Sequence, residues 1–168
     1  MASTAKPAAK KRAPAKKAAA AKPQDAIAML KADHKKVSGL FAEYEKTNST
    51  AKKFKLTNEI CTELTVHAEV EEEIFYPAVK AALKDKELVP EATVEHATLK
   101  DLIAQVKDKQ PDGEMFDAKI KVMSEYVKHH VKEEQNEMFP KARNTKLDMM
   151  ALGEQMLARK QQLLGAAP

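Results

Sequence analysis

The sequence predicts an all-α protein. The expected architecture is an up-down-up-down four-helix bundle, with a short extra C-terminal helix and a disordered basic N-terminal tail. Three observations predict it. Only four glycines and 5% aromatics stand beside abundant Ala, Lys, Glu, Leu and Met, a composition that suits helices and not a turn-rich sheet. Apolar residues recur at three-to-four spacing through four long segments joined by short connections. The chain also repeats itself: the pattern from His67 to Pro77 recurs from His130 to Pro140, so two helical hairpins related by a pseudo-twofold axis are expected.

Asp25 is a plausible N-cap for a first helix reaching about Thr47, with Ile27, Leu30, Val37, Leu40, Phe41 and Tyr44 on one face. His34 lies on that face. A second helix is expected from about Thr50 to Leu83, with a stripe of Ile60, Leu64, His67, Glu71 and Phe75. Pro77 falls inside it and should kink it or end it locally. The third runs from about Pro90 to Lys109, with Val94, Leu99, Leu102, Ile103 and Val106 as its apolar set and His96 at the border. Gln110-Pro111-Asp112-Gly113 reads as a turn. The fourth helix starts near Glu114. Its stripe of Met123, Val127, His130, Glu134 and Met138 follows that of the second helix member for member at one constant offset, and Pro140 repeats Pro77. A last amphipathic segment, Leu147 to Leu164, offers Met150, Leu152, Met156 and Leu157 and should pack across the bundle end.

At 168 residues the chain is one domain plus a tail: a bundle over 25–164 and a tail over 1–24. No run approaches the roughly 20 apolar residues of a membrane span, and no secretion signal is apparent. Cys61 stands alone, which excludes an intrachain disulfide, suits a small buried residue and points weakly to a reducing, cytoplasmic location. Residues 1–24 carry Lys6, Lys10, Lys11, Arg12, Lys16, Lys17 and Lys22 and no acid. Removing those seven charges from the net of +4 leaves residues 25–168 at −3. The basic pI therefore belongs to the tail. Pro7, Pro14 and Pro23 interrupt any helix there, so disorder and non-specific, salt-sensitive nucleic-acid contact are the expectations.

The repeat carries the chemistry. His67-x-x-x-Glu71 is followed by Tyr76-Pro77, and His130-x-x-x-Glu134 by Phe139-Pro140 at the same distance. Residues i and i+4 of a helix lie about 40° apart, so each pair shares one face. That face is the apolar stripe, so folding drives the pairs inward. Two buried carboxylates facing each other are costly unless a cation lies between them. His34 and His96, separated by nearly the same offset, face the same interior from the other two helices. Each of two metal ions would then take two histidines, with Glu71 and Glu134 available to bridge. A lone histidine on an apolar face is more often a hydrogen-bonded core residue, but one per helix in a repeated frame is not a lone histidine. The rival pair His129 and Glu133 is set aside by the repeat, which aligns His130 on His67. Glu72 or Glu133 could orient a ligand histidine. Glu63 and Tyr126, one turn before each ligand histidine, are expected to face the site, where they could cap an open coordination position or bond a bound ligand. Imidazole and carboxylate together suit Fe, Mn or Zn.

Asp33-His34, His67-x-x-x-Glu71 through Tyr76-Pro77, Glu95-His96 and His130-x-x-x-Glu134 through Phe139-Pro140 together resemble the hemerythrin-like superfamily, specifically the bacterial HHE cation-binding domain. The resemblance spans about residues 25–160. It implies a non-haem di-iron centre with an oxo or hydroxo bridge, held by His34, His67, Glu71, His96, His130 and Glu134. It further implies binding of a small diatomic, dioxygen or nitric oxide, or the sensing and supply of iron under oxidative or nitrosative stress. The oxygen carriers of the superfamily have a second histidine four residues after the first on the third helix, where this chain has Lys100. That departure favours the four-histidine, two-glutamate HHE proteins over reversible oxygen carriage. An enzyme consuming peroxide or nitric oxide at the same centre is the alternative, and protection of DNA a weaker third.

Overall fold

The computed structural model describes residues 24–84 and 86–165. The basic tail, apart from Gln24, lies outside them. Among the described residues the protein is helical throughout: α1 (Ala26–Lys46), α2 (Thr50–Val70), α3 (Tyr76–Leu83), α4 (Leu88–Val106), α5 (Glu114–Glu133), α6 (Phe139–Arg143) and α7 (Met149–Gly165). Asp25 caps α1, its carboxylate accepting from the Ala28 amide, and Ser49 caps α2 through the Lys52 amide. Helix α1 packs on α2 and α4 on α5, and contacts of α1 with α5 and α2 with α4 close the bundle.

The prolines do not end their helices. A π-helical turn, Glu71–Phe75, joins α2 to α3, and a second, Glu134–Met138, joins α5 to α6. The junction residues keep right-handed helical dihedrals, so residues 50–83 form one continuous helix. A proline in an α-helix loses its own amide bond and clashes with the carbonyl four residues back. The wider turn absorbs both, with the Tyr76 amide donating to the Glu71 carbonyl and the Phe139 amide to the Glu134 carbonyl.

The core is divided in two. One apolar cluster gathers Ile27, Leu30, Val70, Phe75, Val79, Met138, Phe139 and Met156 at one end of the bundle. The other gathers Val37, Phe41, Ile60, Leu64, Leu99, Met123 and Val127 toward the other end. His34, His67, His96 and His130 fall between the two in sequence, one each on α1, α2, α4 and α5, and form a polar layer between them. Helix α7 lies along α1, α2 and the first π turn, and its Leu152 and Met156 join the first cluster. Met150, expected to pack, is 47% exposed. Val94, expected in the core, is 68% exposed. Val94 is two residues, roughly 200° of helix rotation, from both Ala92 and His96, which mark the buried side of α4.

Candidate metal centre

The polar layer is nearly dry. His34, His67, His96 and His130 are each under 8% exposed, and Glu71 and Glu134 are fully enclosed. All four imidazoles aim Nε2 inward. His34 and His67 bring theirs to 3.1 Å, and His96 and His130 to 3.2 Å. Two nitrogens each about 2.1 Å from one cation would be separated by about this much. Glu71 Oε2 lies 3.3 Å from His67 Nε2 and 3.4 Å from His96 Nε2, one nitrogen of each pair. Glu134 Oε2 lies 3.2 Å from His34 Nε2 and 3.6 Å from His130 Nε2, again one of each. Both glutamates therefore stand between the two histidine pairs.

Two oxygens test whether a cation fits. Glu71 Oε1 and Glu134 Oε2 are buried and accept no hydrogen bond among the described residues. An orphaned carboxylate oxygen in a dry core is expensive, and a cation at the centre of the layer satisfies it. The electrostatics agree. Burial, then the charge of Glu134, holds the Glu71 carboxyl well above its ordinary range. Burial also pushes on Glu134, but the charge of His130 and the nearby His34 imidazole overcome it and hold that carboxyl below its ordinary range. Burial, then the charge of His130, depresses His96 to about 4. His34 is lowered as well, again mainly by burial. Burial acts the same way on His130, but the Glu134 charge and the Glu95 hydrogen bond outweigh it and raise this imidazole. Without a cation the layer thus shares protons that a metal would displace.

The outward ring nitrogens are held too. Asp33 Oδ2 lies 3.5 Å from His67 Nδ1, Glu72 Oε1 3.0 Å from His96 Nδ1, and Glu95 Oε2 2.7 Å from His130 Nδ1. The Gln135 side-chain amide lies 3.0 Å from His34 Nδ1. The three carboxylates fix ring orientation, accept from Nδ1–H and would leave Nε2 free for a metal, whereas the Gln135 amide nitrogen donates to His34 Nδ1, so the metal-free His34 carries its proton on Nε2. Of the two acids expected to do this, Glu72 does, and Glu133 turns to His129 instead. Lys100 is no ligand. Its ammonium lies 2.7 and 2.8 Å from the two oxygens of Glu72 and steadies the carboxylate that steadies His96.

Glu63 and Tyr126 do not face the centre. Glu63 is buried against Lys36, 2.6 Å from its ammonium. Tyr126 is 38% exposed and borders a groove with Val94, Val122 and His129. Glu63 stays buried but spends its carboxylate on Lys36, and Tyr126 turns outward to solvent. The aromatic that does reach the centre is Tyr76. Its hydroxyl donates to Glu134 Oε1 at 2.9 Å and lies 3.3 Å from both Glu71 Oε2 and His96 Nε2. In the sequence it served only to mark the repeat. The signal was present there: Tyr76 lies five residues after Glu71, and a π turn places such a residue on the same face.

A fold of two pseudo-equivalent helical hairpins, with four imidazoles and two carboxylates enclosed between them, each carboxylate with one oxygen unsatisfied, defines a cation-binding bundle. The chain belongs to the hemerythrin HHE cation binding domain family, whose pattern matches residues 25–142. It is similar to the crystal structure of a hemerythrin HHE cation binding domain-containing protein from Mycobacterium kansasii, with a TM-score of 0.71 and 26% identity, covering 85% of this chain and 89% of that one. A DNA nickase from Nostoc sp. is 33% identical over 121 residues, 72% of this chain. The chain spans only 33% of that relative's length. No helix among the described residues is long and apolar enough to cross a membrane.

Proposed function

We propose that this protein is a non-haem di-iron protein whose buried centre binds a small diatomic ligand, dioxygen or nitric oxide, or senses and handles iron under oxidative or nitrosative stress. The observation that carries the reading is a cavity of about 20 Å³ beside the four imidazoles, walled by Val37, Leu64, Leu99, Ile103, Val127 and Val131. That volume suits one water-sized guest. Its apolar lining favours an uncharged diatomic over any organic substrate. Two iron ions with an oxo or hydroxo bridge would supply one-electron chemistry at this wall, held by His34, His67, Glu71, His96, His130 and Glu134. Manganese and zinc accept the same donors. The chain's own part is to orient the imidazoles, exclude water and hold a proton at the Tyr76 hydroxyl.

Metal analysis with an optical spectrum tests this. Iron-loaded protein should carry two irons per chain and show the bands of an oxo-bridged diferric pair. Glu71→Gln combined with Glu134→Gln should lower the iron content to below one per chain, and two irons retained would overturn the bridging assignment. The Tyr76 hydroxyl, a proton donor at the centre, favours a second reading, an enzyme that consumes peroxide or nitric oxide. Catalytic turnover of either by iron-loaded protein with a reductant would select it, and a stoichiometric spectral change the binder. Residues 25–164 would form the working unit and residues 1–24 a basic appendage. The seven charges of that appendage, and a relative named as a DNA nickase, support contact with nucleic acid. Deleting residues 1–24 should abolish retention on DNA at low salt, and no retention of the full chain would end the idea.

A further inference from the structure

A second group of ligating side chains gathers outside the buried centre. Glu95 on α4 and His129 and Glu133 on α5 each bring one ligating atom within 4.8 Å of the others. His129 Nε2 lies 3.4 Å from Glu95 Oε1 and 3.2 Å from Glu133 Oε1. Being i and i+4, His129 and Glu133 share a face. Glu95 is only 8% exposed and divides its oxygens. Oε2 accepts from His130 Nδ1 at 2.7 Å. Oε1 receives no hydrogen bond among the described residues and aims at His129. A carboxylate whose side chain is 11% exposed therefore turns one oxygen outward, with only the His129 imidazole facing it and a second carboxylate beside that imidazole.

The repeat shows what that oxygen lacks. Asp33, which precedes His34 as Glu95 precedes His96, divides its oxygens in the same way. Oδ2 faces His67 Nδ1, and Oδ1 accepts from the Lys160 ammonium of α7. In the first half a fixed cation neutralises the outer oxygen. Helix α7 packs against that half. In the second half the place of the ammonium is taken by His129 and Glu133, and among the described residues the ion-pair partners of Glu95 and Glu133 are histidines only. One imidazole and two carboxylates form an N,O donor set for a first-row divalent cation.

We propose that Glu95, His129 and Glu133 form a surface site for a divalent cation of the zinc, manganese or iron class, distinct from the buried centre and joined to His130 through Glu95. The cation supplies to the second half the charge that Lys160 supplies to the first. Three protein ligands leave its remaining positions to water. The groove bordered by Val94, Val122 and Tyr126 opens the site to solvent, and the His129 side chain is 58% exposed.

The test is calorimetric titration of Zn²⁺ into the full chain after iron loading, near neutral pH, with iron counted before and after. Wild-type protein should take up one equivalent of Zn²⁺ without releasing iron. His129→Ala and Glu133→Gln, both at partly exposed positions and tolerable to the fold, should each weaken that uptake at least tenfold with an unchanged circular-dichroism spectrum. No Zn²⁺ uptake, uptake matched by iron release, or equal uptake in both variants would overturn the proposal. The first iron count reports on the buried centre independently.

Discussion

Tyr76 and Phe139 occupy equivalent places in the repeat and do unequal work. Both rings stack on a ligand histidine, Tyr76 on His96 at 5.4 Å between centroids and Phe139 on His34 at 5.9 Å. Only Tyr76 brings a hydroxyl, and it donates to a fully buried carboxylate. Tyr76→Phe should therefore destabilise the metal-free protein by about 1–3 kcal/mol in urea unfolding, because an enclosed acceptor loses its donor. Metal-loaded protein should lose less, since a cation then satisfies the same oxygens. His96 sets a pH dependence. Burial and the charge of His130 depress it from 6.5 to about 4. A base depressed by folding contributes stability above its unfolded value and loses it as pH falls through the folded one. Metal-free protein should lose on the order of 3 kcal/mol from this group between pH 6.5 and 4, measured by denaturant unfolding across that range. That the candidate ligands gather in one buried layer was legible in the sequence, because i,i+4 spacing fixes direction. Glu63 and Tyr126 were misread because spacing does not show the Lys36 partner that takes the first or the open groove that takes the second.

The π turns are the elements that the sequence announced only as breaks. Pro77 and Pro140 signalled interruption, and periodicity alone could not say that the helix would widen and continue. Each turn begins at a buried glutamate, Glu71 or Glu134, so the added residue per turn brings Tyr76 back under Glu71. The helices themselves were legible to within about three residues, because their apolar stripes are long. The docking of α7 was not, because it depends on one close approach. Gly153 packs against the backbone leading into α1, where a Cβ would meet the Gln24 carbonyl oxygen at 2.1 Å and the Ala26 nitrogen at 2.9 Å. Gly153→Ala must move α7 off α1, and with it the Lys160 contact to Asp33. A loss of about 1–3 kcal/mol in thermal or chemical unfolding is expected, the usual cost of overpacking.

At the scale of the whole molecule, two apolar clusters are separated by a layer that neither can stabilise. Metal removal should therefore be a global event. A ligand that binds only the folded state adds about 2.7 kcal/mol at a hundredfold excess over its dissociation constant. Chelation should lower the melting temperature measurably and in proportion to the metal lost. The duplication that organises this layer could be read in the chain. Of the partners that hold its outer edge only Glu72 was named there, because these links cross from helix to helix. Asp33 on α1 holds His67 on α2; Glu72, just past α2, holds His96 on α4; Glu95 on α4 holds His130 on α5; Gln135, just past α5, reaches back to His34 on α1. These four links form a closed ring, and each hairpin owns half of it: one link within itself and one reaching out to the other. A lone hairpin of this kind, pairing with an identical copy about a true twofold axis, would close the same ring without any second sequence. The fold thus carries in its bonding the plan of a homodimer, from which fusion of two copies into one chain would need only a connection such as the one between α3 and α4.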